Sequence, residues 1–297
     1  MRRQVSLYAD RLLGRAVKYS LSALRRTDPD RSSDMCGAAA RRFGPLLPAH
    51  RIGRANLRAA FPDRDDAWIE QTLRDAWENL GRVAGEYVHL GTLWDFDEKR
   101  PNAGRIITDD SPVFDELQND GKPALCFAAH LGNWELPAVM AAAHGMPSAV
   151  LYRMPNNKAV AREITRIRAP LMGHLIRSRA QAPLEMAAAL DRGEHLGMLV
   201  DQHFSRGVDV TFFGRRCKAN PSIARLARQF DCPVVGVRVI RLPDRRFRIA
   251  AAGPIDLPRD DTGRIDVQQS TQLITSIVEG WISEHPEQWL WFHRRWR

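Results

Sequence analysis

Hydrophobic positions along the chain change their period near residue 106. Before that point they recur every three or four residues, the spacing of one helical face. In the first segment Val5, Tyr8, Leu12, Leu13, Ala16, Val17, Leu21 and Leu24 form such a stripe, and Arg2, Arg3, Arg11, Arg15, Lys18, Arg25 and Arg26 decorate the remainder. A stripe flanked by arginines suits packing on the domain or lying in a lipid interface. Pro48 opens a short helix through "AHRIGRANLRAAF", and "FPDRDDAW" ends it and starts the next. Asp63 or Asp65 caps that helix, whose stripe runs through Trp68, Leu73, Trp77 and Leu80 to Val83 or Ala84.

From about Ile106, short β-prone runs alternate with helical ones. "PALCFAA", "SAVLYR", "EHLGMLVDQ" and "CPVVGVRVIRL" predict strands, and "LPAVMAAAH", "NKAVAREITRIRAPLM", "APLEMAAALDRG" and "ANPSIARLARQF" predict helices. "VDVTFFG" alternates and ends in a glycine turn. "RFRIAAAG" forms an antiparallel hairpin with the preceding strand around "PDR", and a last helix runs from Gln268 to Glu284. The expected fold class is α/β, a central, mostly parallel sheet flanked by helices over residues 106–297. A helical region, residues 1–105, packs on that core or on a membrane surface.

Composition narrows the partners. With 297 residues, 44% of them hydrophobic, the chain can bury a sizeable core. Lysine and arginine number 44 against 35 acidic residues, a net charge of +9 supplied almost wholly by arginine. That excess suits an anionic partner: phospholipid headgroups, nucleic acid or an acidic carrier protein. No recognised nucleic-acid motif accompanies it, so a non-catalytic binding module is the weaker alternative. Cys36, Cys126, Cys217 and Cys232 form no C-x-x-C pair, which points to a reducing compartment. The longest apolar run, "LPAVMAAAHGM", is too short to span a bilayer, and charges interrupt the N-terminal stretches. The expected location is the cytoplasmic side.

The candidate chemistry lies in "CFAAHLGNWELP", Cys126 to Pro137. On one continuous helix, His130 and Glu135 would diverge by about 140°. If a strand ends near His130 and a helix starts near Asn133, the "LG" turn redirects the chain and the two side chains can meet. Asn133 then serves as N-cap, Glu135 suits the first-turn dipole, and Pro137 is tolerated there. A carboxylate-held histidine is a general base, and the neighbouring Cys126 sits in an apolar strand-like run where free cysteine behaves as a small hydrophobe. No metal is called for, because no His, Cys or Asp spacing resembles a zinc site.

"HLGNWE" resembles the H-x-x-x-x-[DE] signature of the lipid A biosynthesis acyltransferases, the lauroyl and myristoyl transferase family with a glycerolipid acyltransferase-like fold. Four further blocks follow in the family's order: "VLYRMPNN" (Val150 to Asn157), "RIRAPLMG" (Arg166 to Gly173), "LVDQHFSRGVDVTFFG" (Leu199 to Gly214) and "PEQWLWFHRRWR" (Pro286 to Arg297). The resemblance implies transfer of a fatty acyl chain from an acyl carrier protein or coenzyme A thioester to a hydroxyl of a lipid A precursor, with no cofactor. A related acceptor, another membrane glycolipid, would need the same chemistry. It further implies work at the cytoplasmic face of the inner membrane, and peripheral attachment, since this chain lacks the membrane-spanning helix many members carry.

In that frame His130 is the base and Glu135 its orienting acid. The oxyanion needs donors; the Leu131-Gly132 backbone and Arg168, preferred to Arg166, are the candidates. Planar guanidinium forks bind phosphate well, and Arg153, Arg206, Arg215 and Arg216 are candidates for the acceptor's phosphates. Gly132 and Asn133 are expected to line the substrate site, and Asp201 to orient an arginine or a loop. Phe212 and Phe213 either line the acyl channel or divide between core and solvent. The terminal aromatic-arginine run fits a membrane interface, a phosphate site or packing on the sheet.

Overall fold

The sheet contains β1 (Ile106–Thr108), β2 (Leu125–Ala128), β3 (Ser148–Tyr152), β4 (His174–Arg177), β5 (His195–Leu199), β8 (Val234–Arg241) and β9 (Phe247–Ala252). Their order across it is β1-β9-β8-β2-β5-β3-β4. The inner run β8-β2-β5-β3-β4 is parallel throughout, while β9 turns back antiparallel on β8 and pairs in parallel with β1. The structure is a computed structural model and describes residues 14–97, 99–100, 103–108, 112–155 and 157–296.

Buried on both faces, these strands need apolar residues at successive positions rather than alternation, and "LCFA" and "VVGV" supply them. One face is covered by α4 (Pro112–Asn119), α5 (Leu136–Ala143) and α6 (Lys158–Arg168), whose Leu117, Leu136, Met140 and Ile167 pack with Val235, Val237 and Val239. The other is covered by α7 (Ala182–Asp191), α8 (Ser222–Phe230) and α9 (Val267–Glu284), whose Met186, Ile223, Val278 and Trp281 pack with Phe127, Leu196 and Met198. The connection after β2 leads to β3 on one side, and that after β5 leads back to β8 on the other. The gap between β2 and β5 is therefore a topological switch point, where open α/β sheets bind ligands at the carboxyl ends of strands.

The N-terminal helices are α1 (Pro29–Phe43), α2 (Pro48–Ala60) and α3 (Asp66–Glu86). Asp65 caps α3 by accepting from Trp68 N–H at 2.7 Å. This region is joined to the core by buried polar contacts: Asn56 Nδ2 donates to Trp291 O at 2.8 Å, and Asn79 Nδ2 to Gln288 O at 3.0 Å. Residues 14–24 are helical, with Leu21 packed on the core and Tyr19 exposed. Val5, Tyr8, Leu12 and Leu13 of the basic stripe lie outside the described residues. Among the described residues no helix is long and apolar enough to cross a membrane.

β6 (Val208–Phe212) and β7 (Arg215–Ala219) form a separate two-stranded ribbon. β7, with its outward charges, and β4, a short edge strand, carry too little apolar signal to be anticipated from pattern. Phe212 is buried against Trp289 and Trp296, and Phe213 packs on Phe61. Neither lines the large cavity, so the channel-lining alternative for this pair is set aside.

Candidate active site

The turn "HLGN" leaves β2 and enters α5. Gly132 adopts φ +57°, and a Cβ there would sit 2.4 Å from Val239 O, so both conformation and space require glycine. Asn133 does not cap the helix in the way the sequence implies. The cap position is Glu135, the helix starts at Leu136, and Pro137 falls in the first turn, whose N–H groups need no intrahelical partner. The Asn133 amide is fully buried and donates to Glu86 Oε2 at 2.9 Å, while its oxygen accepts from Glu135 N–H at 3.3 Å. Glu86 in turn is gripped by both terminal nitrogens of Arg241 at 2.6 and 2.9 Å. Gly132 and Asn133 are thus support behind the site, and neither lines the cavity.

The expected hydrogen bond between His130 and Glu135 is not formed. Glu135 sends its carboxylate toward α6, where Arg168 Nε donates to Oε2 at 2.9 Å and Nη2 donates to Oε1. The guanidinium lies near the rings of Tyr87 and Tyr152, at 5.7 and 5.6 Å from their centroids. Burial would lower the Arg168 pKa, but the charge and hydrogen bonds of Glu135 more than reverse this. Burial and the same carboxylate push the Tyr87 hydroxyl well above its ordinary value.

The acid that holds His130 is Asp201, two residues beyond β5. Its Oδ1 lies 2.9 Å from His130 Nδ1, and its Oδ2 accepts from the His130 backbone N–H at 3.1 Å and from Trp289 Nε1–H at 2.7 Å. β2 and β5 are neighbours in parallel register, with Ala128 opposite Leu199, so their two exits lie side by side. Trp289 is brought in by the bridge between Leu131 and Trp289 and by Leu290 N–H donating to His130 O at 3.1 Å. Burial pushes the Asp201 carboxyl up, but His130, the nearby His293 ring and the Trp289 N–H hold it well below the usual carboxylate range. A carboxyl whose pKa is depressed by folding stabilises the fold above its unfolded value, about 3.9, and that contribution disappears as pH falls below it. Acid unfolding of Asp201→Asn, followed by circular dichroism, should therefore be less steep below about pH 4 than that of the parent.

His130 Nε2, the nitrogen turned from Asp201, lies 3.3 Å from Gln202 Nε2, and Trp134 packs 5.2 Å from the imidazole ring. All three residues line a cavity of about 870 Å³ that runs from the carboxyl ends of β2 and β5 down the α5-covered face of the sheet. Its floor includes Cys126, Val150 and Gly197, paired across the strands, and its inner end Leu117, Met146, Ser148 and His195. From His195 to Asp201 is six residues, a run of ~20 Å at strand rise. Arg153 and Arg168 also line it, with Phe204 partly exposed.

The other sequence candidates separate cleanly. Arg166 pairs with Glu163 at 2.8 Å and faces out; Arg206, Arg215 and Arg216 are exposed, and none of the four lines the cavity. The Leu131 and Gly132 N–H groups already donate to Ala129 O at 2.7 Å and Gln288 O at 3.2 Å, so neither is available to an oxyanion. In the C-terminal run Trp289, Trp291 and Arg295 are buried, which favours packing over a membrane belt for these three. Gln202, Trp289 and His293 are site residues that the sequence reading did not select.

A carboxylate-held histidine stands at a strand switch point of an α/β fold and opens on a long, largely apolar cavity. The chain belongs to the bacterial lipid A biosynthesis acyltransferase family, whose sequence model matches residues 7–297. No individual curated protein matches it.

Proposed function

We propose that this acyltransferase moves a fatty acyl chain from an acyl carrier protein or coenzyme A thioester to a hydroxyl of a lipid A precursor. The observation that carries this reading is His130, bound through Nδ1 to the buried Asp201 and presenting Nε2 at the mouth of the cavity. His130 takes the proton of the acceptor hydroxyl as its oxygen attacks the thioester carbonyl. Asp201 fixes the tautomer and stabilises the imidazolium that forms. The tetrahedral oxyanion is met by the Gln202 amide and by Arg168, which uses two of its five N–H groups on Glu135. Collapse expels the thiolate, which takes the proton from His130. Glu135 acts through Arg168 by holding it at the cavity wall. Arg153, which lines the cavity, meets the acceptor's phosphate in this reading, and the net positive charge suits peripheral attachment to the cytoplasmic face of the inner membrane.

Incubation of the purified enzyme with a lipid A precursor and each thioester, read by mass spectrometry, should show addition of one acyl chain. No addition from either thioester would reject the reading.

Gly197 makes the channel testable. It lies at the centre of β5, opposite Val150 and Cys126, and a Cβ there would meet nothing closer than Ala149 O at 3.8 Å. Gly197→Leu fills the channel midway without displacing backbone. It should select against long-chain donors by about tenfold or more while sparing short ones, measured by competition between thioesters of different length.

A further inference from the structure

The inner end of the cavity is not wholly apolar. Ser148 and His195 stand directly opposite each other on adjacent parallel strands, ~4.8 Å apart at the backbone. Both line the cavity, and they are 8% and 6% exposed. Among the described residues, Ser148 Oγ and His195 Nδ1 are each buried without a hydrogen-bond partner. Two unpartnered polar atoms at one spot are unusual, because nearly all buried polar groups are satisfied. Leu117 and Met146 line the cavity with them, and the Leu117 backbone and the Asp120 carboxylate lie near the His195 ring.

We propose that Ser148 and His195 form a polar seat for a hydroxyl carried by the acyl chain near its far end, so that the enzyme favours an acyl donor hydroxylated there. The inference rests on the reading of the cavity as the acyl channel and names the class of chain it takes. A hydroxyl both donates and accepts, as does serine, and it can complement either tautomer of a neutral imidazole. Burial pushes the His195 imidazole below its ordinary pKa, so the ring is neutral near pH 7 and the seat uncharged. That suits an alcohol better than a carboxylate, whose burial would need a cation. The catalytic histidine stands at the other end of the strands, ~20 Å away along β5. A hydroxyl near the carbonyl would not reach the seat; one far along the chain would.

The test is binding of free fatty acids, which does not depend on turnover. Saturated chains and chains of equal length hydroxylated at successive positions toward the methyl end are titrated against displacement of a fluorescent fatty acid. The parent protein should bind one hydroxylated position about tenfold tighter than the saturated chain. In Ser148→Ala the preference should fall to about threefold or less, with saturated binding retained. His195→Leu provides a second variant, and thermal melts confirm that each is folded. Equal affinity for all chains in the parent, or full preference in both folded variants, overturns the proposal. Failure of every chain to bind the parent overturns it together with the acyl-channel reading. The role of His130 in proton transfer is judged separately, by the transfer assay.

Discussion

Exchanging Asp201 for asparagine should lower acyl transfer by about 10⁴-fold, close to the effect of removing His130 itself. The reason is tautomeric. Oδ2 of Asp201 accepts from two donors, the His130 backbone N–H and the Trp289 indole. An amide at this position satisfies both only by giving them its oxygen, which turns its NH2 group onto His130 Nδ1. Nδ1 must then accept, and the ring proton moves to Nε2. The nitrogen facing the cavity loses the lone pair that would take the acceptor's proton. His130→Ala removes the base outright and should reduce turnover by at least about 10²–10⁴-fold. Single-turnover transfer with preloaded thioester measures both, and melting curves establish that the proteins are folded. Asp201→Asn retaining a tenth or more of the parent rate would show that Asp201 does not control the tautomer.

These two residues also mark where sequence reading stops. The strand-turn-helix around "HLGNWE" was legible because Gly132, Pro137 and the apolar runs each carry a local signal. The alternating strands and helices were legible for the same reason, and so was a largely parallel sheet. Which strand lies beside β2 was not, since the order β8-β2-β5-β3 is set by crossovers that leave no local mark. Asp201 lies 71 positions from His130 and meets it only because β5 inserts between β2 and β3. The nearer acid, Glu135, was the natural partner by spacing. Arg168, the last residue of α6, claims it instead through two hydrogen bonds. Trp289 was visible as part of an aromatic-basic run, but its bond to Asp201 depends on the C-terminal segment bridging back to Leu131. The polar seat at Ser148 and His195 leaves no trace at all in periodicity: both residues simply begin apolar strands.

Glu135→Ala should destabilise the fold by about 3 kcal/mol, and Arg168→Ala by a comparable amount, because each strands the other's charge where little water reaches it. Side-chain exposures of 5% for Glu135 and 17% for Arg168 leave little solvation to replace the lost partner. Arg168 is also fixed between two tyrosine rings, which limits its escape to solvent. The paired replacement Glu135→Leu with Arg168→Met removes both charges and keeps apolar volume. It should recover most of the lost stability, since a buried ion pair contributes little net over an apolar substitute. Denaturant midpoints for the singles and the pair give the coupling directly. Turnover should behave differently. If Arg168 meets the oxyanion, the double variant is stable yet remains slow, by about 10²–10³-fold. If the pair only braces α5 against α6, turnover returns with stability. The split between the two readouts therefore separates an arginine that touches the reacting atoms from one that holds the wall behind them.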